Sequence, residues 1–372
     1  MLVGVPAEIK DNENRIAMVP GGVAQLVERG HTVLVQKDGG NGSGFPDDAF
    51  REKGAEMVAE AAEIFQRADM IVKVKEPQPV EVAMIRERQI VFTYFHFAAS
   101  EELTRGMLET GATCVAYETI EDKNGHLPLL TPMSEVAGRM ASQVGAYYLQ
   151  KPEGGRGVML GGVPGVPYSD VVIIGGGVVG TQAAWIAAGL GARVTIMDVD
   201  LDRLRYLDDV MPANVTTLHS NPDSVRGACR RADLLIGAVL IEGAKAPILV
   251  PRSYLKEMKN GAVIVDVAVD QGGCIETTKP TTHSDPTYVV DGVLHYCVAN
   301  MPGAVPRTST YALTNATIPY AVHLADHGVT AAILEDRGFA LGINAMGGQV
   351  TYPAVAEAFG LDHVPIETVL RG

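Results

Sequence analysis

Three glycines in the middle of the chain have the spacing of a loop that can cradle phosphate. Residues 171–180 read VVIIGGGVVG, in which Gly175, Gly177 and Gly180 form the pattern GxGxxG. An apolar run precedes the pattern and a small-residue helical stretch follows it. The loop is therefore expected to join a strand to a helix N-terminus, whose backbone N–H groups attract phosphate. The chemistry indicated is the binding of a dinucleotide.

Each glycine in such a loop has its own steric reason. Gly175 permits the tight turn, Gly177 lets the backbone approach the pyrophosphate, and Gly180 allows the helix to pack closely on the sheet. Val178 and Val179, between the second and third glycines, are predicted to lie against the same cofactor.

An acidic residue ends the next predicted strand, RVTIMD. Asp198 can accept hydrogen bonds from ribose hydroxyls and would repel a 2′-phosphate, and Val199 follows it in place of a basic residue. The pattern therefore predicts NAD in preference to NADP. Arg203 leaves two alternatives open, since it could cover the adenosine edge or be a solvated helix residue.

Polar residues that follow other predicted strands could act on a substrate, because ligands of α/β proteins bind at the carboxyl ends of strands. They include Arg15, Lys75 and His96, and then Asp266 and Asp270. Arginine and lysine can hold a carboxylate and polarise a carbonyl, and histidine can transfer the proton that accompanies hydride movement. Each could instead be a loop charge or a buried structural group. Together with a dinucleotide fold they suit an anionic carbonyl substrate.

Short apolar runs alternate with helix-period segments along the chain, which is typical of βαβ units and mainly parallel sheets. We predict an α/β protein with two Rossmann-like, doubly wound domains, the NAD-binding domain being inserted into a discontinuous substrate domain. The predicted limits are 1–128 for the N-terminal part of the substrate domain, 129–306 for the NAD-binding domain, and 307–372 for a returning helical part. The strand candidates are LVGVPAE, HTVLVQ, MIVKVK, IVFTYF and TCVAYE in the first series and DVVIIG, RVTIMD, DLLIGAV and AVIVDVAVD in the second.

Composition excludes several other classes of protein. Thirty basic and 44 acidic residues give a net charge of −14, and such a surface repels nucleic-acid backbones. Apolar types make up 47% and charged types 20%, as in a compact globular protein. The four cysteines lack CxxC spacing, so free thiols are expected. No signal peptide and no apolar run of about 20 residues is found, so we expect a cytoplasmic protein without a membrane partner.

Longer motifs resemble the family of alanine dehydrogenases and transhydrogenase alpha subunits, and the resemblance runs through nearly the whole chain. It implies NAD-dependent, reversible oxidative deamination of L-alanine to pyruvate and ammonium, with glyoxylate as an expected smaller substrate. It also implies a homohexamer. The motifs are KDNENRIAMVP, KVKEP, TYFHFA, LLTPMSEVAGRMA, GGGVVGTQAA, VDVAVDQGG, VANMPGAVPRTST and ALTNATIPY.

The resemblance also implies roles for individual residues. His96 would be the principal acid/base, Asp270 would assist proton transfer, and Arg15 and Lys75 would bind the substrate carboxylate and carbonyl. The expected wall residues of the substrate site are Tyr94, Glu118, Met133 and Asn300. The further residues expected at the cofactor are Ser134, Ser220, Val239, Leu240, Val267, Asp270, Lys279, Asn300 and Met301.

Two alternatives to an amino-acid dehydrogenase are the NAD-binding subunit of a transhydrogenase and an NAD-sensing protein with a degenerate site. The joint presence of Arg15, Lys75, His96 and Asp270 argues against the transhydrogenase subunit, and cofactor binding without turnover on any keto acid would support the sensing protein.

His323 and His327 lie at i, i+4 and could clamp a metal from one helix face. A polar helix face or a subunit contact is the favoured alternative, because no HExxH glutamate lies between them and the hydride chemistry needs no metal.

Overall fold

The computed structural model describes residues 1–239, 246–269 and 272–371. The chain forms two compact units. The first consists of Met1–Met133 together with Gly303–Gly372, and the second of Ser134–Pro302.

The first unit is built on an eight-stranded sheet whose order is β15-β14-β6-β5-β4-β1-β2-β3. The six strands from β3 to β6 are parallel, while β14 and β15 are antiparallel. The strands are β1 (Leu2–Val5), β2 (Thr32–Gln36), β3 (Glu56–Val58), β4 (Met70–Val72), β5 (Ile90–Thr93), β6 (Thr113–Ala116), β14 (Ile343–Met346) and β15 (Gln349–Val350).

Helices of the first unit connect these strands and cover the sheet. Helix α5 shows how local residues set the two ends of a helix. The hydroxyl of Ser100 accepts the Leu103 N–H at its start, and Gly111 ends it in the left-handed conformation, with φ 67°. The helices are α1 (Pro20–Glu28), α2 (Asp47–Arg51), α3 (Ala61–Arg67), α4 (Pro79–Val82), α5 (Glu101–Thr110), α11 (Pro306–Glu335, interrupted at Gly328), α12 (Arg337–Ala340), α13 (Pro353–Phe359) and α14 (Ile366–Val369).

The second unit has a seven-stranded sheet of order β12-β13-β11-β10-β7-β8-β9, parallel except for β12. The strands are β7 (Asp170–Ile174), β8 (Arg193–Asp198), β9 (Val215–His219), β10 (Leu234–Gly237), β11 (Val263–Asp266), β12 (Thr287–Val290) and β13 (Val293–Tyr296). The helices are α6 (Thr131–Tyr148), α7 (Val178–Gly189), α8 (Leu201–Val210), α9 (Pro222–Arg231) and α10 (Arg252–Leu255).

In both sheets the strand order changes direction beside the strand that comes first in the chain, which is β1 in the first unit and β7 in the second. In the first unit β2 and β3 lie on one side of β1 and β4 to β6 on the other, and the second unit repeats this arrangement around β7. This is the Rossmann order, and ligands of such sheets bind where the winding reverses. The predicted fold class of two doubly wound α/β domains is confirmed. The predicted apolar runs form central strands whose residues are buried throughout, as in β5 and β10.

One local expectation was wrong. The part over 307–372 was expected to be helical, yet it adds β14 and β15 to the edge of the first sheet. Gly347 and Gly348, both with positive φ, form the two-residue turn between them.

Within the described part of the chain, we find no helix that combines the length and apolar character required to span a bilayer.

The glycine at the start of α7 is expected to resist substitution. A Cβ at Gly180 would lie 1.8 Å from the carbonyl oxygen of Gly175, whereas a Cβ at Gly189, on the same helix, would meet nothing within 4 Å. Gly180→Ala should therefore cost about 1–3 kcal/mol of stability through overpacking. Gly189→Ala should be neutral or stabilise by up to about 1 kcal/mol. Denaturant midpoints of both variants check this, and equal midpoints would contradict it.

Candidate active site

Five of the predicted site residues lie in the first unit, where neighbouring strands end. Lys75 follows β4, Tyr94 and His96 follow β5, Glu118 lies in the turn after β6, and Arg15 lies between β1 and α1. Because β4, β5 and β6 are parallel neighbours, their carboxyl ends meet at one edge of the sheet.

Arg15 is buried, with only 2% of its surface exposed, and it is held by a carboxylate two residues earlier. Its Nε donates to Glu13 Oε1 at 2.7 Å and its Nη2 to Glu13 Oε2, so the pair is bidentate. Its Nη1 lies 3.1 Å from the sulfur of Met133. The structure thus brings two predicted substrate residues, Arg15 and Met133, into contact. Glu13 was not among the predicted site residues, although it lies in the same motif, KDNENRIAMVP, as Arg15.

Lys75 is close enough to Arg15 for the two charges to interact. Burial lowers the pKa of Lys75, and the positive charge of Arg15 lowers it further. The backbone carbonyl of Lys75 accepts a hydrogen bond of 2.9 Å from the Thr93 hydroxyl, which ties the segment after β4 to the end of β5. Arg15 and Lys75 therefore form a cationic pair suited to an anionic ligand.

Tyr94 and His96 stack with parallel rings, whose centroids are 5.7 Å apart and whose planes differ by 1°. The Tyr94 hydroxyl donates to the carbonyl of Leu129. Burial raises the pKa of Tyr94, so its phenol stays protonated at neutral pH. Tyr94 can therefore form a wall of the site and orient the imidazole, but it is unsuited to be a base.

The His96 side chain is exposed and its backbone is left-handed, with φ 50° and ψ 43°. Glu118 accepts the N–H of His96 at 2.6 Å and the N–H of Phe95 at 3.2 Å. The carboxylate of Glu118 is therefore directed at the backbone that carries the imidazole.

A buried lysine with two carboxylates, not anticipated from the sequence, supports the segment that carries Lys75. The ammonium of Lys73 lies 3.0 Å from Glu8 Oε2 and 2.7 Å from Glu81 Oε1, and all three side chains are almost fully buried. Glu8 also accepts the Val74 N–H at 2.6 Å. Burial raises the pKa of Glu8. Burial also disfavours the charge on Lys73, but the two carboxylates outweigh it and raise the pKa of Lys73.

The glycine loop of the second unit has the shape that a pyrophosphate needs. Gly175 has φ 106°, and a Cβ there would lie 2.5 Å from the Ala238 carbonyl oxygen. Gly177 is the N-cap of helix α7 and offers no side-chain cap, and among the described residues nothing lies within 4 Å of a Cβ at Gly177. The N–H groups of the first turn, which includes Val178 and Val179, are thus accessible to an anion.

Asp198 and Arg203 hold Gly176, the middle residue of this loop, from both sides. Asp198 Oδ2 accepts the Gly176 N–H at 2.7 Å, and Arg203 Nε donates to the Gly176 carbonyl at 2.6 Å. Arg203 Nη2 also donates to the Thr181 hydroxyl at 2.8 Å. Of the two alternatives for Arg203, a merely solvated helix residue is excluded.

Other predicted cofactor residues lie at the same edge of the second sheet. The Ser220 N–H donates to the Asp198 carbonyl at 2.8 Å, and the Val267 N–H donates to the Gly237 carbonyl at 2.9 Å. Val239 N would be 3.0 Å from a Cβ on Gly175.

Other positions are less closely tied to the loop. Ser134 is the first residue of the second unit, and Met301 is buried. Asn300 is left-handed, with φ 63°, and its carbonyl oxygen lies 3.2 Å from His283 Nε2. The ammonium of Lys279 packs over the Tyr288 ring. Leu240 and Asp270 lie outside the described residues.

Asp266 has a structural role. It is fully buried and accepts the N–H groups of Ala268 and Cys274 and the hydroxyl of Thr278. Burial raises its pKa. These bonds hold the backbone beyond β11, which agrees with the alternative that Asp266 orients backbone.

The predicted metal pair consists of two imidazoles near the interruption of α11. The rings of His323 and His327 are 4.7 Å apart, and His323 Nε2 lies 3.4 Å from Glu335 Oε2. Over residues 1–239, 246–269 and 272–371, no group of three His, Cys, Asp or Glu side chains is arranged to hold a metal ion.

Two unequal Rossmann-type units, one with a buried cationic pair and the other with a glycine loop at a helix N-terminus, are typical of nucleotide-dependent oxidoreductases. The family description "Alanine dehydrogenase/PNT, N-terminal domain" matches residues 4–137, and "Alanine dehydrogenase/PNT, C-terminal domain" matches residues 141–353. The chain belongs to the alanine dehydrogenase/PNT family. The family predicted from the motifs is confirmed.

Individual relatives agree with this assignment. An alanine dehydrogenase of Halomonas elongata is 55% identical over 370 residues, which cover 100% of both chains. A solved structure of an L-alanine dehydrogenase superposes with a TM-score of 0.94 at 51% identity, covering 97% of this chain and 99% of that one. A transhydrogenase structure from Sinorhizobium meliloti superposes with a TM-score of 0.83 at 25% identity, covering 94% and 100%.

Removing the buried lysine should destabilise the first unit in a pH-dependent way. Lys73→Met leaves Glu8 and Glu81 without their cation, which should cost about 3–5 kcal/mol. The pKa of Glu8 is already raised by burial, and loss of the cation, which lowers it, raises it further in the folded state. The deficit should therefore be full above that raised pKa and shrink as pH falls through it and the carboxyl becomes protonated. Urea unfolding at two pH values measures it.

The matched control is Lys53→Met, since Lys53 is exposed. It should change stability by no more than about 0.5 kcal/mol. A Lys73→Met deficit that did not shrink towards acidic pH would contradict the role of the buried carboxylates.

Proposed function

We propose that this protein is an NAD-dependent L-alanine dehydrogenase that interconverts L-alanine with pyruvate and ammonium. The observation that carries the proposal is the cationic pair of Arg15 and Lys75 in a unit whose neighbouring strands β4 and β5 end just before Lys75 and His96, in a chain that matches the alanine dehydrogenase of Halomonas elongata over its full length. Two cations and an imidazole suit a small 2-keto acid.

The proposed mechanism starts with the substrate anion. Arg15, kept in one orientation by Glu13, binds the carboxylate, and Lys75 donates to the carbonyl oxygen, which draws electron density from the carbon that ammonia attacks. His96 takes and returns the protons as the carbinolamine forms and loses water. Asp270 stabilises the positive charge of the resulting iminium. Bound NADH supplies the hydride for that carbon.

The residues proposed to hold NAD belong to the second unit. The pyrophosphate would lie against the first turn of α7, and Asp198 would accept hydrogen bonds from the adenosine ribose. Val178 and Val179 contribute the backbone of that turn. We propose the remaining predicted cofactor positions as contacts with the same molecule: Ser134, Arg203, Ser220, Val239, Leu240, Val267, Lys279, Asn300 and Met301.

A transhydrogenase-like function is not favoured. The transhydrogenase structure is 25% identical in sequence to this chain, whereas the L-alanine dehydrogenase structure is 51% identical.

We also propose that the protein acts in the cytoplasm, without nucleic-acid or membrane partners, and that it assembles with copies of itself as a hexamer. Functional limits of 1–128, 129–306 and 307–372 are part of the proposal. Glyoxylate, smaller than pyruvate by one methyl, is proposed as a second substrate.

The decisive experiment is NADH oxidation in the presence of pyruvate, with and without ammonium. Turnover that requires ammonium is expected. Turnover without ammonium would indicate a 2-hydroxy acid dehydrogenase instead. No turnover in either assay, with NADH still bound, would support a transhydrogenase-like or sensing function.

The His96→Ala and Asp270→Ala variants test the two proposed catalytic residues. Each should lower kcat by about 100-fold or more, since general acid–base groups contribute 10²–10⁴-fold. The control is His126→Ala. The His126 side chain is 72% exposed, so its removal should leave kcat unchanged. Folded, NADH-binding variants of His96 and Asp270 with normal turnover would refute the assignment.

The lowered pKa of Lys75 predicts how pyruvate affinity depends on pH. Below that pKa the side chain is charged and holds the substrate anion. As pH rises through the lowered pKa, the charge is lost and KM for pyruvate should rise, at a pH below the ordinary lysine value of 10.5. Initial rates at saturating NADH and ammonium measure this.

Lys75→Arg is the control, because a guanidinium stays charged throughout this range. Its KM for pyruvate should lack the alkaline rise, whatever its absolute value. A rise of equal size at the same pH in both proteins would assign it to another group.

A further inference from the structure

His96 has a backbone conformation that few residues other than glycine adopt, although asparagine, aspartate and histidine adopt it more often than the rest. Its φ of 50° and ψ of 43° place it in the left-handed region, which is costly for a residue with a Cβ. Such a conformation persists only where the surrounding structure imposes it. The neighbours of His96 must therefore hold it.

The two flanking side chains provide part of this constraint. Phe95 and Phe97 are buried in the same core cluster, and their rings stack with centroids 4.4 Å apart. With the turn at His96, both rings enter the core while the imidazole between them stays exposed. The apolar contacts fix where the chain must go, but they leave the N–H groups of the turn without an acceptor of their own.

Glu118 supplies that acceptor. Its Oε1 accepts the His96 N–H at 2.6 Å and the Phe95 N–H at 3.2 Å, and its Oε2 lies 3.3 Å from the Phe95 nitrogen. Successive N–H groups at a turn of this kind form a concavity that binds anions. The carboxylate reaches it because Ala116, at the end of β6, pairs with Thr93, at the end of β5.

We propose that Glu118 is a positioning residue for His96, whose carboxylate holds the left-handed turn and thereby directs the imidazole at the substrate. This refines the predicted place of Glu118 in the substrate wall. It rests on the proposed function, in which His96 transfers protons. On this view Glu118 acts through the backbone of residues 95 and 96 and contributes little to substrate affinity.

Hydrogen exchange tests the clamp without reference to activity. In the folded protein, the amides of Phe95 and His96 should exchange at least 10-fold faster in Glu118→Ala than in the wild type. They should exchange at an intermediate rate in Glu118→Gln, which keeps one acceptor oxygen. The exposed Glu109 is the matched control, and Glu109→Ala should leave these amides unchanged. Unchanged exchange in Glu118→Ala would overturn the proposal.

Kinetics test the consequence for His96. Glu118→Ala should lower kcat by about 100-fold, because small misplacements of a reacting group cost that much, with KM for pyruvate within about twofold. Glu118→Gln should retain most of the rate, and it replaces Glu118→Ala if that variant does not fold. A raised KM for pyruvate with normal kcat would instead make Glu118 a substrate contact and overturn the proposal.

The pH profile of kcat separates position from charge. If Glu118 acts by position, the profile of Glu118→Gln should keep the wild-type pH limbs. A limb displaced in Glu118→Gln would show that the carboxylate acts on His96 by its charge, against the proposal. If the wild type has no turnover with pyruvate and ammonium, the proposed function fails, while the exchange measurement still decides whether the clamp exists.

Discussion

The parallel pairing of β4, β5 and β6 is the constraint on which the candidate site depends. Parallel strands deliver their carboxyl ends to one edge of a sheet, so three chain segments that are distant in sequence end side by side. Lys75, His96 and Glu118 each lie within three residues of such an end. The second unit uses the same arrangement to bring the glycine loop, Asp198 and Ser220 together at the edge of its own sheet.

Carboxylates serve this site mainly as supports. Glu13 grips the guanidinium of Arg15, Glu8 accepts the N–H next to Lys75, and Glu118 accepts the N–H of His96. A charged oxygen accepts stronger hydrogen bonds than a neutral one, and in buried surroundings such bonds leave few other geometries open. Apart from Asp270, which is proposed to stabilise the iminium, the residues proposed to touch substrate are thus cationic or neutral, and Glu8, Glu13 and Glu118 hold them in place.

The sequence was sufficient for the sheet architecture, and the candidate residues it offered include three that follow the ends of β4, β5 and β6. Continuous apolar runs marked the central strands because both faces of a parallel sheet are buried. Strands β14 and β15 were not predicted because they are short and lie at an edge of the sheet, although a Gly–Gly pair such as Gly347–Gly348 is typical of a hairpin turn. The partner of a carboxylate cannot be read from spacing. Glu118 meets the backbone of His96, and Lys73 meets Glu8, only because strands far apart in the chain are neighbours in the sheet.

The trio of Glu8, Lys73 and Glu81 also restricts how the protein can change over evolutionary time. Loss of Lys73 leaves two buried carboxylates without a cation, whereas loss of one carboxylate leaves a neutral lysine–glutamate pair. Joint replacement of all three by apolar side chains of similar volume is the kind of change that buried ion pairs often tolerate, but every path of single substitutions to that state passes through one lone buried charge. We therefore expect a relative that lacks a cation at position 73 to lack carboxylates at positions 8 and 81 as well.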